Sequence, residues 1–204
     1  RRLGSTMKSV GEVMAIGRNF EEVVQKAIRM CDIDKDGLTS CVDNNEIYSE
    51  EIESIEQSLL QPDDGIMFTV VRALRAGIDI HRINQLSHID PWFLLCINNI
   101  VKIDNRLRKE AFDESLILEA KKTGFSDKQI ASCMKIAENQ VRSLRNKFGI
   151  KPVVKQIDTL SAEWPAKTNY LYMTYGGQAD DIVIENNKES AIVLGAGPYR
   201  IGSS

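Results

Sequence analysis

Several things are scarce in this chain, and each scarcity narrows the reading. Cysteine occurs four times in 204 residues, as Cys31, Cys41, Cys96 and Cys133. No two form a C-x-x-C, and the spacings match no zinc pattern. That argues against a cysteine-only metal site and leaves free thiols in a reducing compartment as the default. Asn-x-Ser/Thr is absent. No apolar run comes near the roughly 20 residues needed to cross a bilayer. The basic opening, "RRLGSTMKSVGEVMAIGR", lacks the apolar core of a signal peptide. A membrane is therefore not an expected partner. Aromatics make up only 6% of the residues, which favours helices over a β-sandwich. Positive charge is also short: 26 Lys and Arg face 29 Asp and Glu, a net charge of −3. This argues against a surface that binds nucleic acid throughout.

What is present is enough apolar residue, 43%, for a real core. The first 18 residues read as strand and loop, and in "SVGEVMAI" alternation puts Val10, Glu12, Met14 and Ile16 on one side. "NFEE" then opens a helix, with Asn19 as N-cap and Glu22 at the third helical position. Residues 32–64 hold eleven acidic side chains and one basic, a local charge of −10. They read as solvated loop with one acidic helix around 49–60. Helices then follow quickly: one running to Gly77, the short "DIHRINQLS", and "DPWFLLCINNIVKIDNRLRK" with Asp90 as cap and Pro91 at the first turn. In this last helix Trp92, Phe93, Leu95, Cys96, Asn99, Ile100, Ile103 and Leu107 trace a mostly apolar stripe. Asp113 and Ser126 cap two more helices, Gly124 and Gly149 close two, and "AENQVRSLRNKFG" completes the series. From Pro152 the period changes to two, in "VVKQID" and "TNYLYMTY". The expected architecture is a mainly α, compact helical module with short β extensions at both ends.

Three motifs invite function. "DIDKDG" at 32–37 copies the first half of an EF-hand loop, but Thr39 and Asp43 fail at positions 8 and 12. An acidic surface turn is the preferred reading, and no metal ligand is assigned. "GFSDKQIASCMKIAENQVRSLRNKFG" reads like a helix-turn-helix, and 121–151 carries eight basic against two acidic residues. Lys135, however, stands where the turn glycine usually sits. A DNA-binding protein is the alternative reading, and packing of two short helices is the other. At the C-terminal end "AIVLGAGPYRIGSS" runs from a short apolar strand into Gly195, Gly197 and Gly202. The spacing is not G-x-G-x-x-G. Glu12 on its apolar side is either a functional carboxylate or a partner of Lys8 or Arg18. His81 and His88 have no catalytic partner in a recognisable spacing.

Taken together, "MKSVGEVMAIGRNFEEVVQKAIR", "HIDPWFL", "GFSDKQIA", "KQIDTLSAEWP", "TNYLYMTY" and "VLGAGPYRIGSS" resemble the carbamoyl-phosphate synthase family. The resemblance is to the stretch joining the two ATP-grasp halves of the large, synthetase portion. It implies that 1–18 is the tail of the carboxyphosphate-forming half and that 19–160 is the helical oligomerization domain. It further implies that 161–190 is a linker with a β segment and that 191–204 opens the carbamoyl-phosphate-forming half. By resemblance Met7, Val10 and Glu12 line the carbamate route, bordered by the loop of Gly195, Gly197, Arg200 and Gly202. The parent would use ATP with Mg2+ or Mn2+. Its partners would be the flanking halves, a glutaminase subunit or domain, and further copies of itself. Cytoplasmic residence is expected, or mitochondrial for a urea-cycle form. No catalytic, nucleotide or metal residue is expected within the chain itself, and no activity from it in isolation.

Overall fold

The computed structural model describes residues 5–6, 13–31, 33–40, 52–158, 163–164, 167–168, 170–183, 191 and 193. Within them lie eight helices: α1 (Phe20–Met30), α2 (Ile52–Leu60), α3 (Ile66–Arg75), α4 (Ile80–Ser87), α5 (Pro91–Lys109), α6 (Glu114–Lys122), α7 (Asp127–Met134) and α8 (Glu138–Lys147). Two strands follow, β1 (Val153–Gln156) and β2 (Leu171–Thr174). The protein is a mainly α module with a small β element.

Local chemistry sets the helix ends. A helix leaves its first N–H groups without partners, and a short polar side chain just ahead of it supplies one. Asn19 accepts from the Glu22 N–H at 2.8 Å. Asp79, Asp90, Asp113 and Ser126 serve α4, α5, α6 and α7 in the same way. Gly77, Gly124 and Gly149 end α3, α6 and α8 with φ of 81°, 89° and 71°, the left-handed region that glycine enters without penalty. Two helices end on a left-handed residue that is not glycine. His88 after α4 and Lys135 after α7 take φ of 58° and 56°, which costs on the order of 1–3 kcal/mol each. The turn between α7 and α8 thus has its left-handed geometry despite the missing glycine.

Helix α5 is the axis of the module, packing against α1, α3, α4, α6 and α7. Its buried side is Leu94, Cys96, Ile97, Ile100, Val101, Ile103, Asp104 and Leu107. This corrects the sequence-based stripe. Cys96, Ile100, Ile103 and Leu107 belong to the core, but Trp92, Phe93, Leu95 and Asn99 stand on the exposed side. Around α5 the core is filled by Ile55, Leu59, Val70, Val71, Ile83, Leu116, Ile117, Phe125, Ile130 and Val141.

The acidic stretch departs from its expected character. The helix is there, as α2, and Ile33 and Asp34 are exposed, but 33–40 is not solvated throughout. Gly37, Leu38 and Thr39 are buried. The Gln25 Oε1 of α1 accepts from the Leu38 N–H at 3.3 Å and from Gln129 Nε2 of α7 at 3.0 Å. Gln129 Nε2 also donates to Thr39 Oγ1. A Cβ on Gly37 would stand 2.4 Å from Gln25 Oε1. Glycine is needed here for close approach rather than for a cation-wrapping turn.

The β pieces form a small sheet of their own. Strands β1 and β2 pair with each other, antiparallel, with Val153 opposite Thr174 and Gln156 opposite Leu171. The pairing reaches across residue 160. Period two places Tyr172 and Thr174 inward while Leu171 and Met173 face out. Asp181 continues along the edge of β1, accepting from Gln156 N and pairing with Lys155 Nζ. At the N-terminal side, 13–17 are described without strand structure.

Candidate functional site

Met7, Val10, Glu12, Gly195, Gly197, Arg200 and Gly202 lie outside the described residues, and so does Asp32 of the "DIDKDG" turn. Of that turn, Asp36 is engaged with Lys128 at 2.9 Å. Among the described residues no group of three His, Cys, Asp or Glu side chains could hold a metal ion. His81 and His88 are exposed. The chemistry that is visible lies in three buried charge clusters and one exposed apolar patch.

The first cluster sits where α1 meets the segments on either side of the module. Glu22 is 2% exposed. Its Oε2 accepts from the Arg18 N–H at 2.8 Å and from Thr174 Oγ1 at 2.9 Å. Its Oε1 pairs with Lys26 Nζ at 2.9 Å. Lys26 also donates to the Ile16 and Met173 carbonyls, both at 2.8 Å. The capping pattern had Glu22 reaching back to the N-cap amide, and its carboxylate instead takes the amide one residue earlier.

The second cluster joins the α6–α7 turn to α8. Lys121 Nζ donates to Asp127 Oδ1 and to the Phe125 carbonyl, both at 2.8 Å, and lies 4.8 Å from the Tyr175 ring centre. Arg145 Nε donates to Asp127 Oδ2 at 2.8 Å. Burial pushes the Asp127 carboxyl up, but the bonds from Lys121 and Arg145 outweigh it and hold the group below its ordinary range. Burial also lowers the Lys121 ammonium, with Asp127 opposing. The two clusters face each other across a cleft of about 320 Å³, lined in part by Lys26, Arg29, Arg142 and Tyr175. Burial lowers the Arg29 guanidinium there, opposed by Asp36 and Glu22.

The third cluster is inside the helical core. Asp104 of α5 is 1% exposed. It receives Arg75 of α3 at 2.5 Å, Arg108 at 2.8 Å and the Cys133 thiol of α7 at 3.2 Å. Burial raises the Asp104 carboxyl, and the two guanidinium groups more than reverse that, so it stays ionised. Burial first, and then the Asp104 charge, push the Cys133 thiol up to about 12. A thiol held so far from ionisation is a poor nucleophile at neutral pH.

Charge pairing also bears on the helix-turn-helix reading. Lys121 and Arg145 are committed to Asp127, Lys128 to Asp36, and Arg142 to Glu138. Four of the eight basic side chains in 121–151 are thus paired, with three carboxylates between them. The turn geometry suits the motif, and part of the positive charge that made it attractive is taken up within the module.

The patch lies at the N-terminal ends of α1 and α5. Phe20, Trp92 and Phe93 touch one another with ring centres 5.0–5.6 Å apart. Trp92 is 55% exposed, Phe93 41% and Leu95 51%. An exposed aromatic cluster of this kind is a mark of an interaction surface.

Sequence reasoning missed Asp104, Asp127, Gln25 and Gln129. For Asp104 a signal existed: it occupies the i+3/i+4 register of Ile97, Ile100 and Leu107, and Arg108 follows at i+4. No comparable sign marks the glutamines, whose partners are remote in sequence.

Comparison with known proteins agrees with the resemblance. The family model of the carbamoyl-phosphate synthetase large chain, oligomerisation domain, matches residues 12–149. Mitochondrial carbamoyl-phosphate synthase (ammonia) of Aquarana catesbeiana is 46% identical over 205 residues, 99% of this chain and 14% of that protein. Multifunctional protein CAD of Squalus acanthias is 47% identical over 207 residues, 100% of this chain and 9% of that protein. The carbamoyl phosphate synthase large chain of Sulfolobus acidocaldarius is 41% identical over 205 residues, 99% and 19% respectively. The chain therefore spans less than a fifth of each of these relatives. Among the described residues no helix is long and apolar enough to cross a membrane. With a family model covering most of its length and relatives matching nearly all of it, the chain belongs to the carbamoyl-phosphate synthase large-chain family, within the oligomerisation domain.

Proposed function

We propose that this chain is the self-associating helical segment that joins the two ATP-dependent halves of a carbamoyl-phosphate synthase. The parent reaction would take bicarbonate, nitrogen from ammonia or glutamine, and two ATP to carbamoyl phosphate. ATP and Mg2+ or Mn2+ would bind the flanking halves. A glutaminase subunit or domain would complete the enzyme, in the cytoplasm or a mitochondrion. Met7, Val10 and Glu12, with the loop of Gly195, Gly197, Arg200 and Gly202, would border the path of carbamate between the halves. Glu12→Lys in the parent is then expected to raise the ATP consumed per carbamoyl phosphate made, and an unchanged ratio would count against the channel assignment.

The observation that carries the self-association reading is the exposed cluster of Trp92, Phe93 and Leu95, seated on the half-buried Phe20. Aromatic side chains are enriched at the buried centres of protein interfaces, where they add area at low entropic cost. Trp92→Glu combined with Leu95→Glu in the full-length enzyme is expected to shift sedimentation velocity toward smaller species, with circular dichroism unchanged. An unaltered distribution would remove this face from the interface.

A further inference from the structure

We infer that Glu22 and Lys26 act as a clasp that fixes the segment entering the helical module against the segment leaving it. In the full-length enzyme this would set how the two flanking halves are placed. The inference rests on the proposed joining role and adds positioning residues to it.

The geometry is unusually even-handed. Glu22 Oε2 takes one hydrogen bond from the incoming segment, at Arg18 N, and one from the outgoing segment, at Thr174 Oγ1. Lys26 Nζ gives one to each, at the Ile16 and Met173 carbonyls, and spends its third proton on Glu22 Oε1. An ammonium has three donors, so this one is fully satisfied. Three of the four ties to the segments end on backbone atoms, so they place the chain itself rather than a side chain. Thr174 lies 152 residues from Glu22 in sequence, and helices α1–α8 lie between.

The surroundings are built for this contact. A Cβ on Gly17 would stand 2.8 Å from Glu22 Oε2, and a Cβ on Gly176 would stand 3.3 Å from the Arg18 Cβ. The two segments thus run side by side, with small residues where they approach the clasp and each other. Behind them the Cα of Glu22 is so close to Gly124 that a Cβ there would approach it to 2.8 Å. The Tyr172 ring lies 5.8 Å from Lys26 Nζ. An apolar contact could join the same elements, but only directional, charge-assisted bonds fix their register.

Glu22→Gln keeps the side chain's shape, removes the charge and replaces one acceptor with a donor. Thr174→Val cuts one outgoing tie, and Thr174→Ser restores the hydroxyl. In the full-length enzyme, well below its unfolding temperature, two quantities report. The first is amide exchange in peptides covering 13–19 and 170–176. For Glu22→Gln we expect it to rise about tenfold or more in both peptides, with 91–109 unchanged. The second is ATP consumed per carbamoyl phosphate formed, expected to rise about twofold or more in Glu22→Gln and Thr174→Val and to return in Thr174→Ser. Raised exchange with an unchanged ratio would overturn the inference, leaving a tie with no bearing on coupling. Exchange that rises in only one segment would overturn it as well. Should Glu22→Gln fail to fold, the Thr174 pair decides by the same criteria. An unaltered enzyme that forms no carbamoyl phosphate would instead sink the reaction assigned to the parent, and the exchange measurements would then judge the clasp alone.

Discussion

Asp104 and Glu22 are buried to the same degree, at 1% and 2% exposed, and each gathers several donors. Asp104 gathers side chains of three helices, Arg75 of α3, Arg108 of α5 and Cys133 of α7. Arg75 and Cys133 lie inside the helical core, and Arg108 reaches its edge with 24% of its side chain exposed. Glu22 gathers chain on either side of α1–α8, at Arg18 and Thr174, and its cation Lys26 keeps a quarter of its side chain in solvent. The same chemistry therefore does two jobs. A carboxylate enclosed by its own layer holds that layer together, whereas one at the seam between segments fixes their relative position. Removing the first should cost stability, and removing the second should cost geometry before stability.

The largest effect should come from Asp104→Ala. It leaves Arg75, itself 3% exposed, without its carboxylate, and breaking a buried ion pair on one side costs about 3–5 kcal/mol. Urea unfolding measures this, and a loss below that of Glu22→Ala would break the comparison. For Glu22→Ala we expect about 1.5–3 kcal/mol, the worth of hydrogen bonds to a charged group, because water can reach Lys26. Gly37→Ala forces a Cβ against Gln25 and Gln129 and should cost about 1–3 kcal/mol in the same assay. Near-zero cost there would mean that 37–39 are not packed against Gln25 and Gln129.

Acid sharpens the contrast further. The Asp104 and Asp127 carboxyls titrate below their ordinary range in the folded protein. Their contribution is thus fully present above the unfolded value of about 3.9. It is lost as the pH falls from there through the lower folded values. Melting temperature should drop over that window, and Asp127→Asn should flatten the drop. The smallest effect concerns the thiols. Cys133, with its pKa near 12, should resist alkylation in the folded protein, while the exposed Cys31 reacts. Peptide mapping after brief iodoacetamide treatment distinguishes them.

The helical framework was largely legible because its signals are local. Asn19, Asp90, Asp113 and Ser126 each announce a helix start within three residues, and Gly77, Gly124 and Gly149 announce the stops. What could not be read depends on remote partners. Nothing near "DIDKDG" says that Leu38 and Thr39 are sealed beneath Gln25 and Gln129. Nothing in "VVKQID" says that its partner strand begins at Leu171. Helix α5 misled because apolar residues occupy two of its faces, and periodicity alone does not say which one the core takes. The buried polar hubs escaped for the same reason, since Glu22 looks like a capping residue until Thr174 arrives beside it. The carbamate-route residues were assigned by resemblance and lie outside the described residues, so the structure adds nothing to them.

The meeting of Thr174 with Glu22 also works as a proofreading step for the hairpin. Successive side chains on a strand point to opposite faces, so a slip of one residue exchanges the whole set. If β2 shifted by one against β1, the place now held by the Thr174 hydroxyl would go to Met173 or Tyr175. The thioether has no proton to give, and the phenol carries its hydroxyl at the far end of a ring, well beyond the reach of the threonine Oγ1. A misregistered hairpin would thus meet a buried carboxylate short of one donor, and only the correct frame closes the circuit. A hairpin whose strands are joined through 157–170 gets little guidance from its own connection. One threonine, checked against a helix 152 residues away in sequence, supplies it.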